Sequence, residues 1–342
     1  MITIAAFGEL MLRLSPPGRE RLFQSPRLET FFGGSEANVA VSLARFGNRA
    51  RFISVIPPNA VGDAAVGELA RQGVETSFIV RSGRRLGLYF AESGAGPRPS
   101  SVLYDREGAA VAVAGRDAVD WDRSLAGAEA FHTTGVTPAL SRAAADLTRD
   151  ALLAARAAGL RISIDLNFRA KLWRYGSTAA EVMPELFAFA DLGIANEEDC
   201  RAALGLEGEV FGPDGAADPG AVEDLLARVM AAYPRLERMA ITLRESRSAD
   251  HNIWSAAMRG RSGFRITARR EILPIIDRIG AGDAFAAGLI HGLSAFSTES
   301  EALEFAVAAS DLKHTVPGDF NLVSESEVRA LMAGGGGGRI LR

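Results

Sequence analysis

The feature that most constrains this chain is an alternation. Short apolar runs with strand character change places with helical stretches along most of the sequence. The strand-like runs are 2–7, 50–56, 76–80, 130–134, 161–165, 192–195 and 238–242, and the helical ones 61–72, 142–158, 179–190 and 222–233. Gly73 and Gly159 stand where two of these helices should stop. Strands apolar on both faces, each followed by a helix, are expected to form a parallel sheet covered on both sides.

Two pieces break the alternation. Residues 86–92 and 100–106 are β-like and are separated by a Gly/Pro-rich stretch at 93–99. Together with 10–14 and roughly 27–32 they are expected to form a small separate sheet, a lid over the main one, able to exclude water from a reacting group. Further on, 251–257 and 264–273 read as antiparallel strands, and 283–295, 300–314 and 324–332 as helices, the last with Ser324 and Glu327 in capping-box spacing. The expectation is one domain over 1–332, followed by a Gly-rich, disordered tail at 333–342.

Composition removes several functions. A net charge of −4 without basic runs argues against nucleic acid or an anionic membrane as partner. One cysteine, Cys200, allows no internal disulfide and fits a reducing compartment. Four histidines without metal-ligand spacing argue against a structural zinc site. The opening Met1-Ile2-Thr3-Ile4 lacks the basic start of a signal peptide, and no apolar stretch reaches membrane-spanning length, so a soluble, cytoplasmic protein is expected. The first strand is followed by Gly8-Glu9-Leu10-Met11, a single glycine, so the Rossmann dinucleotide fingerprint is missing.

The chemistry concentrates in Asp277-Arg278-Ile279-Gly280-Ala281-Gly282-Asp283, which runs straight into a helix. Glycines allow a tight turn and close approach to a ligand, and unpaired N–H groups at a helix start attract anions. An aspartate in the first helical turn sits where it can take a proton from an attacking hydroxyl. Phosphoryl transfer uses that pair of devices, although a Gly-rich turn with a helix-capping Asp283 is the plain structural alternative. A second glycine pair, Gly33-Gly34, precedes Ser35, a candidate N-cap, and a helix ending at Gly47 with Asn38 one turn inside.

These two motifs together resemble the signatures of the ribokinase-like (PfkB) carbohydrate kinases: Gly33-Gly34-Ser35-Glu36-Ala37-Asn38 with Leu43-Ala44-Arg45-Phe46-Gly47, and Asp277 to Asp283. Closer still, Asp165-Leu166-Asn167-Phe168-Arg169, Tyr104-Asp105-Arg106 and the run from Leu312 to Asn321 are similar to 2-keto-3-deoxygluconate kinases. The resemblance implies a three-layer α/β/α sandwich with a central, mostly parallel sheet and a small β lid. It implies ATP and Mg2+, with a monovalent cation as a further candidate, and a homodimer joined through the lids. Asp283 would be the base, with the N–H groups of Gly280, Ala281 and Gly282 around the transferred phosphoryl group. Gly34, Asn38 and Asn167 would bind the sugar, and Arg169, Tyr89, Tyr104 and Arg106 its carboxylate end. Asn196, Thr242, Arg244, Gly280, Gly282 and His314 would border the nucleotide, and Asp199 would reach the magnesium through water.

The chain also departs from the family pattern. Many neutral-sugar members carry an aspartate soon after the first strand, whereas here the residues are Leu10-Met11-Leu12. The glycine-containing nucleotide loop expected after residue 242 is replaced by Leu243-Arg244-Glu245-Ser246-Arg247. The resulting expectation is a kinase for a sugar acid, with a neutral-hexose kinase and a non-catalytic sugar sensor as alternatives.

Overall fold

The computed structural model describes residues 1–212 and 215–335. In chain order the elements are β1 (Thr3–Phe7), β2 (Met11–Ser15), β3 (Glu29–Gly33), α1 (Ser35–Arg45), β4 (Arg49–Ile56), α2 (Ala60–Arg71), β5 (Ile79–Arg81), β6 (Gly87–Glu92) and β7 (Ser101–Asp105). A 3-10 turn at Ala110–Val113 leads to α3 (Trp121–Leu125), β8 (Ala130–Thr134), α4 (Arg142–Ala157), β9 (Arg161–Asp165), α5 (Ala179–Phe187) and β10 (Leu192–Ala195). Then follow α6 (Glu197–Leu204), α7 (Pro219–Ala232), β11 (Arg238–Ser248), β12 (His251–Gly260), β13 (Gly263–Ile266), β14 (Arg270–Ile272), α8 (Ala281–Ala295), α9 (Glu299–Lys313) and α10 (Glu325–Met332).

The main sheet runs β13-β12-β11-β10-β9-β8-β1-β4-β5, with β14 also on β12. Every pairing from β11 to β5 is parallel, and the β11–β12–β13 end is antiparallel. Successive residues of β1 show why both faces must be covered. Ile4 and Ala6 enter a core shared with α1, α2, α8, α9 and α10, while Ala5 and Phe7 enter a second core shared with α3 to α7. The result is the expected sandwich.

The separate small sheet is present, ordered β3-β2-β6-β7. Its inner face carries Met11, Arg13, Tyr89 and Ala91, all buried. Its outer face carries the half-buried Leu12, Leu14, Leu88 and Phe90 and the exposed Leu103.

Several boundaries differ from expectation for local reasons. The strand expected to end at 242 continues to Ser248, because its charged stretch pairs with β12 as far as Ser246 and, past a register shift at Arg247, again at Ser248. The single strand expected over 264–273 is two short ones, β13 and β14, which pair with opposite ends of β12. Residues 333–335 close α10, with the Gly334 and Gly335 N–H groups returning to Leu331 and Ala330. The rest of the expected disordered tail, 336–342, lies outside the described residues.

Candidate active site

Parallel sheets leave a crevice at the carboxyl ends of their strands where the chain switches from one face to the other. That switch falls at β1 and β8: β1 continues through the lid into α1 on one face, while β8 continues into α4 on the other. A cavity of about 440 Å³ opens there, under the lid. Its walls include Asp283, Gly280, Ala281, Gly282, Gly34, Asn38, Asn167, Arg169, Tyr89, Tyr104, Arg106, Asn196, Asp199, Thr242, Arg244 and His314. All the residues singled out in the sequence therefore meet in one place.

Gly280 is the N-cap of α8 and has φ 84, a left-handed conformation; a Cβ there would also collide with the carbonyl of Asp319. At Gly282 a Cβ would meet nothing within 4 Å, so a side chain would project into the open cleft. The Ala281 N–H closes a long 3.3 Å turn on the Arg278 carbonyl. Among the described residues the N–H groups of Gly280, Gly282 and Asp283 have no such partner, which leaves them for an anion at the positive end of α8.

Asp283 is buried, and both its oxygens are held by the first turn of α1. Ser35 Oγ donates to one at 2.6 Å and Asn38 Nδ2 to the other at 2.7 Å. Ser35 also accepts from Asn167 Nδ2 at 2.8 Å. The N-cap of α1 is Gly34, not Ser35, whose hydroxyl is thereby free to orient the carboxylate. Burial pushes the Asp283 carboxyl above its ordinary value, while Ser35, Asn38 and the nearby Arg169 and Lys313 pull it back.

The sugar wall is more committed than the sequence suggested. Tyr89 donates a short hydrogen bond to Asp319, which also accepts from Arg13 at 3.2 Å. Its phenol thus braces the lid against the loop before α10. Tyr104 lies with its ring 5.9 Å from Tyr89, and among the described residues its hydroxyl has no partner. Arg106 is not an exposed lid charge: it is buried, paired with Glu9, and stacked 5.1 Å from the Tyr104 ring, with Nε unpartnered among the described residues. Arg169 is exposed and donates to its neighbour's carbonyl, Phe168, at 2.8 Å, and no ion pair engages it among the described residues. Asn167 takes φ 37, an uncommon conformation that asparagine tolerates.

On the nucleotide wall, Asn196 and Asp199 form a capping box at the start of α6. The second carboxylate oxygen of Asp199 accepts the Phe168 N–H at 2.9 Å, so this residue also fixes the turn carrying Asn167 and Arg169. Thr242 and the exposed Arg244 stand on β11, beyond the point where a loop was expected. Arg278 reaches across to the Ser248 and Ala249 carbonyls. Its pKa is lowered by burial and then by Arg244. His314 donates from Nδ1 to Ser310 and is held down at about 4 by burial, so it stays neutral. Beside it, 5.7 Å between rings, Trp254 presents a buried indole N–H that has no partner among the described residues.

Burial lifts the carboxyl of Asp165 well above its usual range, and Asp199 and Asp283 lift it further. Asp199 itself is pushed up to about 6, mainly by burial. An acid raised by two neighbouring acids suits a divalent cation carrying waters, although among the described residues no cluster of three or more ligating side chains is close enough to chelate one. The functional residues that the sequence reading missed are Ser35, Arg278, Trp254, Glu9 and Asp319. Ser35 was read as a cap, Arg278 and Asp319 lie inside quoted motifs without a role of their own, and Trp254 and Glu9 carried no signal.

Comparison with known proteins bears on this geometry. The sequence profile of the pfkB family carbohydrate kinases matches residues 1–325. The chain is 34% identical over 335 residues to the 2-dehydro-3-deoxygalactonokinase of Haloferax volcanii, with 98% of each chain covered. It is 26% identical over 321 residues to the 2-dehydro-3-deoxygluconokinase of Bacillus subtilis, covering 92% of this chain and 90% of that one. Among solved structures, the 2-dehydro-3-deoxygluconokinase of Thermotoga maritima aligns with a TM-score of 0.91 at 42% identity, covering 97% of this chain and 100% of that one.

Proposed function

The chain belongs to the pfkB family of carbohydrate kinases, and from that premise we propose that it transfers the γ-phosphate of ATP to the primary hydroxyl of a 2-keto-3-deoxy sugar acid. The observation that carries the acid reading is Arg169, a guanidinium on the cleft wall that forms no ion pair with a carboxylate of the described residues, although Asp165, Asp199 and Asp283 lie within electrostatic reach. A substrate carboxylate must shed water to enter a lidded site, which is costly unless a cation meets it. The planar fork of arginine can take both carboxylate oxygens. Glu9 matches the charge of Arg106, so Arg106 contributes hydrogen-bond donors there, and Arg169 supplies the net charge. The Tyr104 hydroxyl is a further donor from the lid.

Asp283, held by Ser35 and Asn38, takes the hydroxyl proton as the oxygen attacks phosphorus. The bond to the bridging oxygen breaks and ADP leaves with the electron pair. The open N–H groups of Gly280 and Gly282 bind the phosphoryl oxygens, where charge gathers. Arg244 and Arg278 receive the other phosphates, and the Trp254–His314 side receives the base. Asn196 and Asp199 would hold hydrated Mg2+, whose contribution is to neutralise phosphate charge. The apolar outer face of the lid, with Leu103 62% exposed, is the surface for a second copy of the chain, and sedimentation at several concentrations tests that part.

The direct test is ADP release with 2-keto-3-deoxygluconate, its C4 epimer 2-keto-3-deoxygalactonate, and fructose. The reading expects one or both acids to exceed fructose. A preference for the neutral hexose removes the acid reading, and no ADP release from any sugar favours a sensor.

A further inference from the structure

Beneath the anion loop four charged side chains are buried together, one of which, Asp319, also reaches the cleft wall. Asp277 and Asp319 supply the acids, and Arg13 and Lys313 the cations, with relative exposures of 8%, 3%, 2% and 0%. Arg13 Nη1 lies 2.7 Å from Asp277 and 3.2 Å from Asp319. Asp277 also accepts the N–H groups of Ile279 at 3.1 Å and Gly318 at 3.0 Å, so it fixes both chain segments around Gly280. Lys313, the last residue of α9, donates from Nζ to the Val316 carbonyl at 3.0 Å. Its stem runs directly under the loop, with Cε 3.3 Å from the point where a Cβ on Gly280 would stand.

Two carboxylates and a carbonyl held this close form the kind of oxygen-rich nest that a potassium ion favours, and the family resemblance makes a monovalent cation a candidate. The donor set does not fit one. Its two negative charges are already matched by two positive side chains. A third cation would have to lose its water and sit beside an ammonium and a guanidinium in a buried site, where uncompensated charge is strongly disfavoured.

We propose that Lys313 is a built-in cation: its ammonium occupies the place beneath the anion loop that a monovalent ion would take, and holds Gly280 to Gly282 in their binding shape without one. The proposal rests on the kinase reading for its catalytic consequence, but its structural part stands independently of any substrate. Lys313 is a positioning residue, acting through the loop. Its charge also lies within electrostatic reach of Asp283.

Cation binding and thermal unfolding test this without assuming a substrate. The wild-type protein is compared in potassium chloride and in tetramethylammonium chloride at equal ionic strength, and titrated with thallium(I) as a potassium probe. The expected result is the same unfolding temperature in both salts and no saturable thallium site, with ADP release on the preferred sugar equal within about twofold. A saturable thallium site in the wild type, or an unfolding temperature raised by potassium alone, overturns the proposal. Lys313→Met removes the ammonium and leaves the acids under-compensated. It is expected to unfold at a lower temperature and to recover part of the loss in potassium but not in tetramethylammonium. Lys313→Arg keeps the charge and is expected to stay indifferent to the salt. A folded Lys313→Met protein equally indifferent would also overturn the proposal, and if that variant does not fold, the wild-type titration decides.

Discussion

On the sugar side of the cleft the base and two lid side chains are already bonded to neighbouring side chains, with Arg169 and the Tyr104 hydroxyl left for the substrate, whereas on the nucleotide side the cations are held apart. Asp283 is gripped by Ser35 and Asn38, Tyr89 by Asp319, and Arg106 by Glu9. Across the cleft, among the described residues Arg244 is exposed and unpaired and the Trp254 indole N–H lacks a partner, while the pKa of Arg278 is lowered by burial and then by Arg244. The difference fits what each side must do. The reacting hydroxyl and its base need fixed geometry before chemistry begins, since misplacement is expensive in rate. A triphosphate brings its own charge and can complete a site of separated cations when it arrives.

The largest effect should come from breaking the pre-bonded side at its centre. Asp283→Asn keeps the shape and loses the base, so turnover should fall by about 10²–10⁴-fold, with ATP affinity nearly unchanged in a binding titration. Wild-type-like turnover in the folded variant would contradict the role. Because Asp283 must be ionised to act and burial raises its pKa, the wild-type rate should fall as pH drops through a value above the ordinary carboxylate range.

The same rigidity should show in stability. Glu36 ties the first turn of α1 to the end of β8, accepting from Thr134 N and Oγ1 and Thr137 Oγ1, while its other oxygen is buried without a partner among the described residues. Burial pushes its pKa up to about 7 from 4.5. The folded state therefore binds a proton that the unfolded state releases between those values. The resulting stability is complete below about pH 4.5 and is lost as pH rises through about 7. Glu36→Gln should flatten this dependence and be more stable than wild type at pH 8, by an amount on the order of 3 kcal/mol at most. Parallel thermal unfolding curves for the two proteins between acid and alkaline pH would show that Glu36 is not the group concerned.

On the open side, Arg244→Ala should raise KM for ATP about tenfold, the loss of one charge-assisted contact, and leave KM for the sugar unchanged. An equal rise in both would mean that the two walls are not separable. The smallest effect is expected where the walls touch. The lid turn is latched to the β11–β12 turn by Gly96 N–H to Asp250 at 2.7 Å, the Ala249 N–H to Gly96 O at 2.9 Å, and an Arg19–Asp250 ion pair. Asp250→Ala should change the sugar KM by only about twofold to fivefold, since exposed pairs contribute little. It should also raise amide exchange in the lid, and unchanged exchange would remove the latch from the account.

Much of this arrangement was legible in the sequence. Strands β8, β9 and β10 were found with their boundaries: β8 and β10 lie between an acid and a glycine or asparagine, and β9 follows closely on the glycine that stops α4. The site residues were found because glycine loops and the D-x-N-x-R run carry local signals. What stayed hidden depends on contacts far apart in the chain. Ser35 has the spacing of a cap, and only the approach of α8 turns its hydroxyl toward Asp283, 248 positions away. Helix α6 was not expected because Asn196-x-x-Asp199 was read as a phosphate-side motif, yet the same two side chains form a capping box. The charged end of β11 looked like a loop because a two-stranded extension is stabilised by its backbone partner rather than by apolar side chains. Lys313 gave no sign of burial, since a lysine at a helix end usually faces water.

The central claim is that this cleft selects a carboxylated sugar through Arg169, and one kinetic comparison tests it most directly. Wild type and Arg169→Ala are each assayed for ADP release with 2-keto-3-deoxygluconate or its C4 epimer, whichever is preferred, and with an uncharged analogue lacking the carboxylate. A charge-assisted pair contributes roughly 1.5–3 kcal/mol, so kcat/KM for the acid should fall about 10–200-fold in the variant. The value for the uncharged analogue should fall far less. Equal losses on both substrates, or a wild type that prefers the uncharged one, would contradict it.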